Sequence, residues 1–243
     1  MFESNDIHER PVLAVALPPA TAPLWRCTGD GLRRRGSSPL AAPAAMEAAT
    51  LDALPAPDAA PLEEVLVTDA LARRAPRPPD HASEVTVLHR LAHALAGPPE
   101  ALLRILVEEA LWLCDAGTSG VSLLEPDAAG GGERFRWTVL AGALAGAVGG
   151  TTPRDFSPCG VCLDEGRAVL FSHPERRFTY FRSAGVPFVE GLVLPFSVAG
   201  RPAGTIWVVT HRESRRFDLE DVRLMSALAG FTGAAYALMR RAS

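Results

Sequence analysis

Residues 192–221 read LVLPFSVAGRPAGTIWVVTHRESRRFDLED. The apolar runs 192–198 and 203–210 have the length and the β-branched and aromatic content of strands. Between them, Ala199-Gly200-Arg201-Pro202 is turn chemistry, so the two runs predict an antiparallel hairpin. Pro195 has no N–H to give to a ladder, which predicts a bulge or a near-edge place for the first strand. The stretch ends on a helix start. Asp218 is placed to cap it, and Asp221, three residues on, stands near the spacing of a capping box. Beyond it, Leu219, Val222, Met225, Leu228, Ala229, Thr232, Ala235 and Met239 share one helical face. Arg240 and Arg241 fall in the last turn, where cations suit the helix dipole.

Upstream of the hairpin the period is first helical, then strand-like. Ser83 reads as an N-cap, followed by the stripe Val85, Leu88, Leu91, Ala92 and Leu95, closed by Gly97-Pro98. A second helix runs from Pro99 to a C-cap at Gly117. Strands follow at 120–125, at 134–140 with Phe135, Trp137 and Val139 on one face, and at 168–172. Between the last two lies an irregular segment with short helices. Residues 173–181 read as a helical loop with Pro174 in its first turn. The order predicts an α+β fold: a central antiparallel sheet, the terminal helices on one face, and loops and short helices covering the other. The sequence has no internal repeat.

Composition changes near residue 80. Twelve of the 21 prolines lie in residues 1–80, but only two of the 16 aromatics. Runs such as PAPDAAP at 55–61 bury too little apolar surface to offset chain entropy. A disordered Pro/Ala-rich tail is therefore expected over 1–80, with one short helix possible at 62–74, and a folded domain over 83–241. Arg33-Arg34-Arg35 reads as a solvated charge run, and Met46 as an alternative start.

The formal net charge is −4, and the 24 basic residues are all arginine. That gives no electrostatic case for nucleic acid or an anionic membrane surface. The lack of lysine excludes a P-loop and a Schiff base. The first residues carry Glu3, Asp6 and Glu9 instead of a basic leader, and residues 139–150 fall short of a span of ~20 residues. A cytoplasmic location follows as the expectation. The four cysteines do not make a disulfide framework.

Cys159-Gly160-Val161-Cys162 is a CxxC pair. Such a pair at a helix start is a redox candidate, since the helix end lowers a thiol pKa. A metal site would need a second ligand pair at useful spacing, and none stands nearby. The other reading is that both cysteines pack as small apolar residues. His173 either gates a pocket or hydrogen-bonds locally. Arg176 and Arg177 are anion-binding candidates or solvated surface arginines. Ser157, His173 and Asp155 do not form a triad around any nucleophile elbow.

Several motifs resemble the GAF domain family. Leu113-Cys114-Asp115-Ala116 precedes the first strand, and 155–170 (DFSPCGVCLDEGRAVL) is similar to the stretch in which a short helix leads into the third strand. Val193-Leu194-Pro195-Phe196 with Gly204–Val209, and Arg216–Asp221 (RFDLED), are similar to the family's last hairpin and the opening of its last helix. The nearest look-alikes are sensory GAF domains upstream of bacterial histidine kinases. The resemblance implies a PAS/GAF-type sensor that does no chemistry, binds an unidentified small ligand or senses redox state, and forms a homodimer through its terminal helices. Its output would lie in a separate protein such as a histidine kinase, because the sequence ends at Ser243.

By the same resemblance the pocket walls would be Phe135, Trp137, Phe156, Cys159, Val161, Phe171, Tyr180 and Trp207. Thr151, Thr152, Arg154 and Asp155 would supply polar contacts at its mouth. The alternative is that these side chains fill a core with no cavity. The resemblance identifies no cofactor. It also includes an enzyme alternative, free methionine sulfoxide reduction through Cys159 and Cys162, which residues 181–188 do not support because they hold no resolving cysteine.

Overall fold

The structure is a computed structural model and describes residues 56–127 and 131–242. Of the tail expected over 1–80, residues 1–55, with the arginine triplet, lie outside them.

The hairpin forms where its pattern predicts. β5 (Glu190–Val198) and β6 (Arg201–Thr210) pair antiparallel, Glu190 opposite Thr210 and Val198 opposite Arg201. Ala199 at φ 51° and Gly200 at φ 74° both take left-handed backbone, as a two-residue hairpin turn matched to strand twist requires. Pro202 lies in β6, outside the turn. Pro195 sits beyond the reach of β4 (Val169–Ser172), which stops opposite Val193, so on that side there is no ladder to interrupt. The bulge falls one residue on, between Phe196 and Ser197.

The sheet is completed by β1 (Thr118–Pro126), β2 (Glu133–Gly142) and a three-residue strand, β3 (Thr151–Pro153), that the pattern was too short to reveal. The order is β3-β2-β1-β6-β5-β4, with antiparallel neighbours throughout. Strand alternation sorts the core onto two faces. Leu192, Leu194, Ile206 and Val208 face one core, and Val193, Trp207 and Val209 face the other. The first core is roofed by α3 (His81–Ala94), α4 (Pro99–Leu113) and α6 (Leu219–Ala242). The second is covered by α5 (Pro158–Glu165) and by 3-10 turns at Pro174–Arg176 and Thr179–Ala184. This is the expected layering.

Helix details depart from the sequence reading in two places. Asp80, not Ser83, caps α3: its carboxylate accepts from the Ser83 N–H at 3.1 Å and the Ser83 hydroxyl at 2.7 Å. The helix is turned so that Val87 and Leu91 are buried while Val85 is 51% exposed. Val87 and Leu91 join the first core, and Glu84 also pairs with Arg223 of α6. α4 ends at Leu113, ahead of Gly117, because Asp115 at φ 45° already reverses the chain.

α6 starts as its motif predicts. Asp218 Oδ1 accepts from the N–H groups of Glu220 and Asp221, and Asp221 Oδ2 accepts from the Asp218 N–H. Met225, Leu228, Thr232 and Ala235 of the expected stripe are buried, while Leu219 is exposed. Gly233 lets the helix close on β5, since a Cβ there would sit 2.8 Å from the Ser197 carbonyl. Among the described residues α6 alone is long and apolar enough to cross a membrane, by length and composition; this stripe is instead packed on the sheet.

Residues 56–80 correct the expected tail boundary. They carry α1 (Leu62–Val65) and α2 (Ala70–Arg73) and wrap the outer edge of β4. Val65 joins one core and Leu71 the other. Leu66 pairs with Phe171, and the Val67 N–H donates to Leu170 O at 2.8 Å. Composition hides this because an edge needs only a few apolar residues and backbone partners to be covered. The arm is fixed by two buried carboxylates. Arg74 bonds Glu190, and Arg77 bonds Asp221 at 2.8 Å.

Asp221 is fully buried and also paired with Arg215 at 2.6 Å. Removing it strands two cations and the Asp218 N–H. Asp221→Ala is expected to lower stability by about 3 kcal/mol or more. Asp218→Ala, which removes the other half of the cap, should cost about 1 kcal/mol. Chemical denaturation followed by circular dichroism checks both the size and the order.

Candidate functional site

The second core holds a cavity, and local sequence explains its walls. Ser157 caps α5 through a 3.1 Å bond from the Gly160 N–H, Pro158 fills the first turn, and Gly166 at φ 63° ends the helix. Gly160 lets α5 lie flat against the chain leaving β3, because a Cβ would stand 2.0 Å from Arg154 O. Arg154 and Asp164 tie the two at 2.6 Å. On the opposite side the 3-10 turns lay Phe181 parallel to Trp137, with ring centres 6.3 Å apart, and Phe188 against Phe181 at 4.6 Å.

Between sheet and cover lies a partly open cavity of about 40 Å³. Five of the expected residues line it: Trp137, Thr152, Cys159, Phe171 and Trp207. The structure does not bring the other seven to it: Thr151 is buried in β3, and Arg154 pairs with Asp164. Phe135 is buried in the sheet core. Phe156 and Tyr180 are buried around Phe178, with the Tyr180 hydroxyl donating to Phe156 O at 3.2 Å. Val161 is half-buried on α5, and Asp155 is exposed to solvent. Gly191, Val193 and Val209 do line it. Their place was legible, since strand alternation puts them on the Trp207 face. Leu144, Pro174, Phe181 and Phe188 come from loops, where no period marks which way a side chain points.

The lining carries no charged side chain. Thr152 is buried, and its hydroxyl has no hydrogen-bond partner among the described residues. The indole N–H of Trp207 is satisfied by Ser122 Oγ at 2.9 Å.

The CxxC thiols are free. Burial pushes the Cys159 thiol up, and the Thr205 and Ser122 hydroxyls beside it offset that only in part. Burial also pushes the Cys162 thiol up; its Sγ lies 3.4 Å from Arg167 O and 3.5 Å from Val193 O, and its one S–H can donate to either. The lowered thiol pKa expected at a helix start is therefore not found, because desolvation outweighs the helix end. Cys114 lies in the other core. Among the described residues no group of three metal-ligating side chains comes together.

His173 takes left-handed backbone at φ 48°, with its ring 3.5 Å from Glu175 and 3.7 Å from Glu213, outside the cavity. Arg176 pairs with Glu64, and Arg177 lies over the Phe156 ring. A histidine that the sequence reading passed over stands nearer the site. His211 packs edge-on to Phe188, and its Nδ1 faces Pro187 O at 2.6 Å. A carbonyl only accepts, so Nδ1 carries the proton and Nε2 takes the Thr118 hydroxyl at 2.8 Å.

Burial holds the His211 imidazolium below its ordinary range, so the folded state prefers the neutral ring. Its contribution to stability is then complete above the unfolded value of about 6.5 and is lost as pH falls from there towards the lower folded value. The melting temperature should drop between pH 7 and 5.5, and His211→Gln should flatten that drop. Thermal melts of both proteins across the range check it.

The family model described as GAF domain matches residues 96–236. No curated protein matches the sequence significantly. Among solved structures, the GAF domain of a phosphoenolpyruvate-protein phosphotransferase from Coxiella burnetii aligns with a TM-score of 0.56 at 16% identity, over 67% of this chain and 98% of that one. The free methionine-R-sulfoxide reductase of Neisseria meningitidis aligns at 0.54 and 17%, over 70% and 98%. The phycocyanobilin-bound GAF domain of a cyanobacterial phytochrome aligns at 0.51 and 14%, over 64% and 94%. At these identities the likeness is one of fold.

Proposed function

This chain belongs to the GAF domain family, and we propose that it is a non-catalytic regulatory module that binds a small uncharged molecule between its sheet and its aromatic cover. The observation that carries the reading is the cavity itself, about 40 Å³ with wholly apolar walls. At ~10–15 Å³ for a water-sized group, it has room for about three such groups. An apolar ligand of a few heavy atoms suits those walls. An anion or zwitterion would leave its charge uncompensated there. A tetrapyrrole, like that of the phytochrome domain, far exceeds the volume.

The thiol environment also favours binding over chemistry. Cys159 touches the cavity but burial keeps its proton on, and the thiolate is the reactive form. The sulfoxide reductase that shares the fold acts on an amino acid, for whose charges these walls offer no partner. In the proposed role the signal leaves through the terminal helices to a separate cytoplasmic signalling protein. Val85 on α3, Trp112 on α4 and Leu219 on α6 are 45–61% exposed, which suits pairing of those helices with a second copy.

Native mass spectrometry of the protein purified from its own cells tests this reading. Gly191 lines the cavity, and a Cβ there meets nothing closer than Val209 at 3.8 Å, so the added methyls of Gly191→Val are expected to take up the space. The wild type should carry an excess mass that denaturation removes, and the variant should carry none. A bare wild type, or an adduct kept by Gly191→Val, would overturn the proposal.

A further inference from the structure

The arm at 56–80 is fixed very differently at its two ends. Its C-terminal part is held by Arg74 and Arg77 on carboxylates that are at most 2% exposed. Its N-terminal part is held by exposed pairs: Asp58 to Arg182 at 2.7 Å, and Glu64 to Arg176. Exposed pairs hold weakly because water competes for both charges. The arm therefore has a firm hinge and a loose end.

The loose end lies on the cavity's cover. Ala60 donates its N–H to Arg176 O at 2.8 Å and accepts from Arg177 at 3.4 Å. Arg176, Arg177 and Arg182 belong to the two 3-10 turns and the link between them, which deliver Pro174 and Phe181 to the cavity. The arm also reaches the cavity from the strand side. Leu66 pairs with Phe171, a wall residue, and Thr68 Oγ1 accepts from the Leu170 N–H at 3.1 Å. One short segment thus grips both the cover and the edge strand between which the cavity lies.

We infer that residues 56–68 are a displaceable strap: docked, they hold the cover down and close the cavity; peeled from the Asp58 end, they release it. Local release breaks the exposed pairs, the Ala60 and edge bonds, and the packing of Ala60, Leu62, Val65 and Leu66 on the second core, while Arg74 and Arg77 stay engaged, so it costs less than global unfolding. The strap also gives the fold an input besides its ligand. Whatever draws residues 56–68 away shifts the cavity towards its open state, and a ligand that needs the cover closed favours the docked strap by the same factor.

Alkylation of Cys159 by N-ethylmaleimide in the native full chain tests the strap without any ligand, so the result stands apart from what the cavity binds. Cys159 lines the cavity and reacts only when the cover opens, whereas Cys114 is buried in the other core and reports global loosening. Peptide mapping separates the sites. In the double variant Asp58→Arg and Glu64→Arg the strap repels Arg176 and Arg182. Cys159 should then label about tenfold faster with Cys114 unchanged. The milder pair Asp58→Asn and Glu64→Gln should give a smaller change of the same sign. An unchanged Cys159 rate in the reversal variant, or a rise matched by Cys114, would overturn the inference.

Discussion

Two carboxylates without access to water, Glu190 and Asp221, organise one end of the sheet. Glu190 opens β5 and accepts from Arg74 at 2.6 and 3.0 Å and from the Phe217 N–H at 2.9 Å. Asp221, in the first turn of α6, holds Arg215 and Arg77 and closes the helix cap. Burial alone pushes the Asp221 proton affinity up, and the arginines work against it. Such groups are costly when any partner is missing, so all must be present at once. Because the partners come from the arm, from the chain entering α6 and, through Arg215 on Cys114 O, from the end of α4, four segments are forced to meet at one place.

That demand explains why one end of the molecule is firm and the other loose. Near Glu190 and Asp221 each segment is cross-linked by buried charge and backbone carbonyls. Towards the cover, contacts are aromatic edges, 3-10 turns and exposed pairs, which are individually weak and share no common centre. A cavity is tolerated at the loose end because its walls are large rings set by irregular loops, which do not interdigitate as strand and helix ridges do. The packed face beneath α3, α4 and α6 shows the opposite case.

The sequence was informative wherever a period or a cap constrains the backbone. The β5–β6 hairpin, the Asp218/Asp221 cap and the two-faced sheet follow from alternation and from side chains that can reach a backbone N–H. The rotation of α3 did not follow, because Val85 and Val87 differ only in which of them meets the core under α4 and α6. The arm was misjudged for a related reason. Its Pro-rich composition describes the average of a segment, whereas Val65, Leu71, Arg74 and Arg77 act singly. At the site, alternation placed Trp137, Phe171 and Trp207 on the cavity but not Phe135, and the register shift between β1 and β2 turns Val139, expected on the Trp137 face, into the other core. Phe156, Tyr180, Phe181 and Phe188 lie on loops, and nothing in their order separates those that line a cavity from those that stand behind it.

The alternation that made β6 legible also bears on how a filled cavity would be felt elsewhere. Trp207 and Val209 face the cavity, while Ile206 and Val208, on the same strand, face the core beneath the terminal helices. Neighbouring residues of a strand share a backbone and cannot move independently by more than their side-chain rotamers allow. The packed core under α6 is nearly incompressible, so a shift of β6 is passed to the helix and not absorbed. Gly233 sharpens this, since α6 there rests on the Ser197 carbonyl of β5 with no side chain between them to yield. A ligand a few atoms in size therefore needs no large motion to be reported.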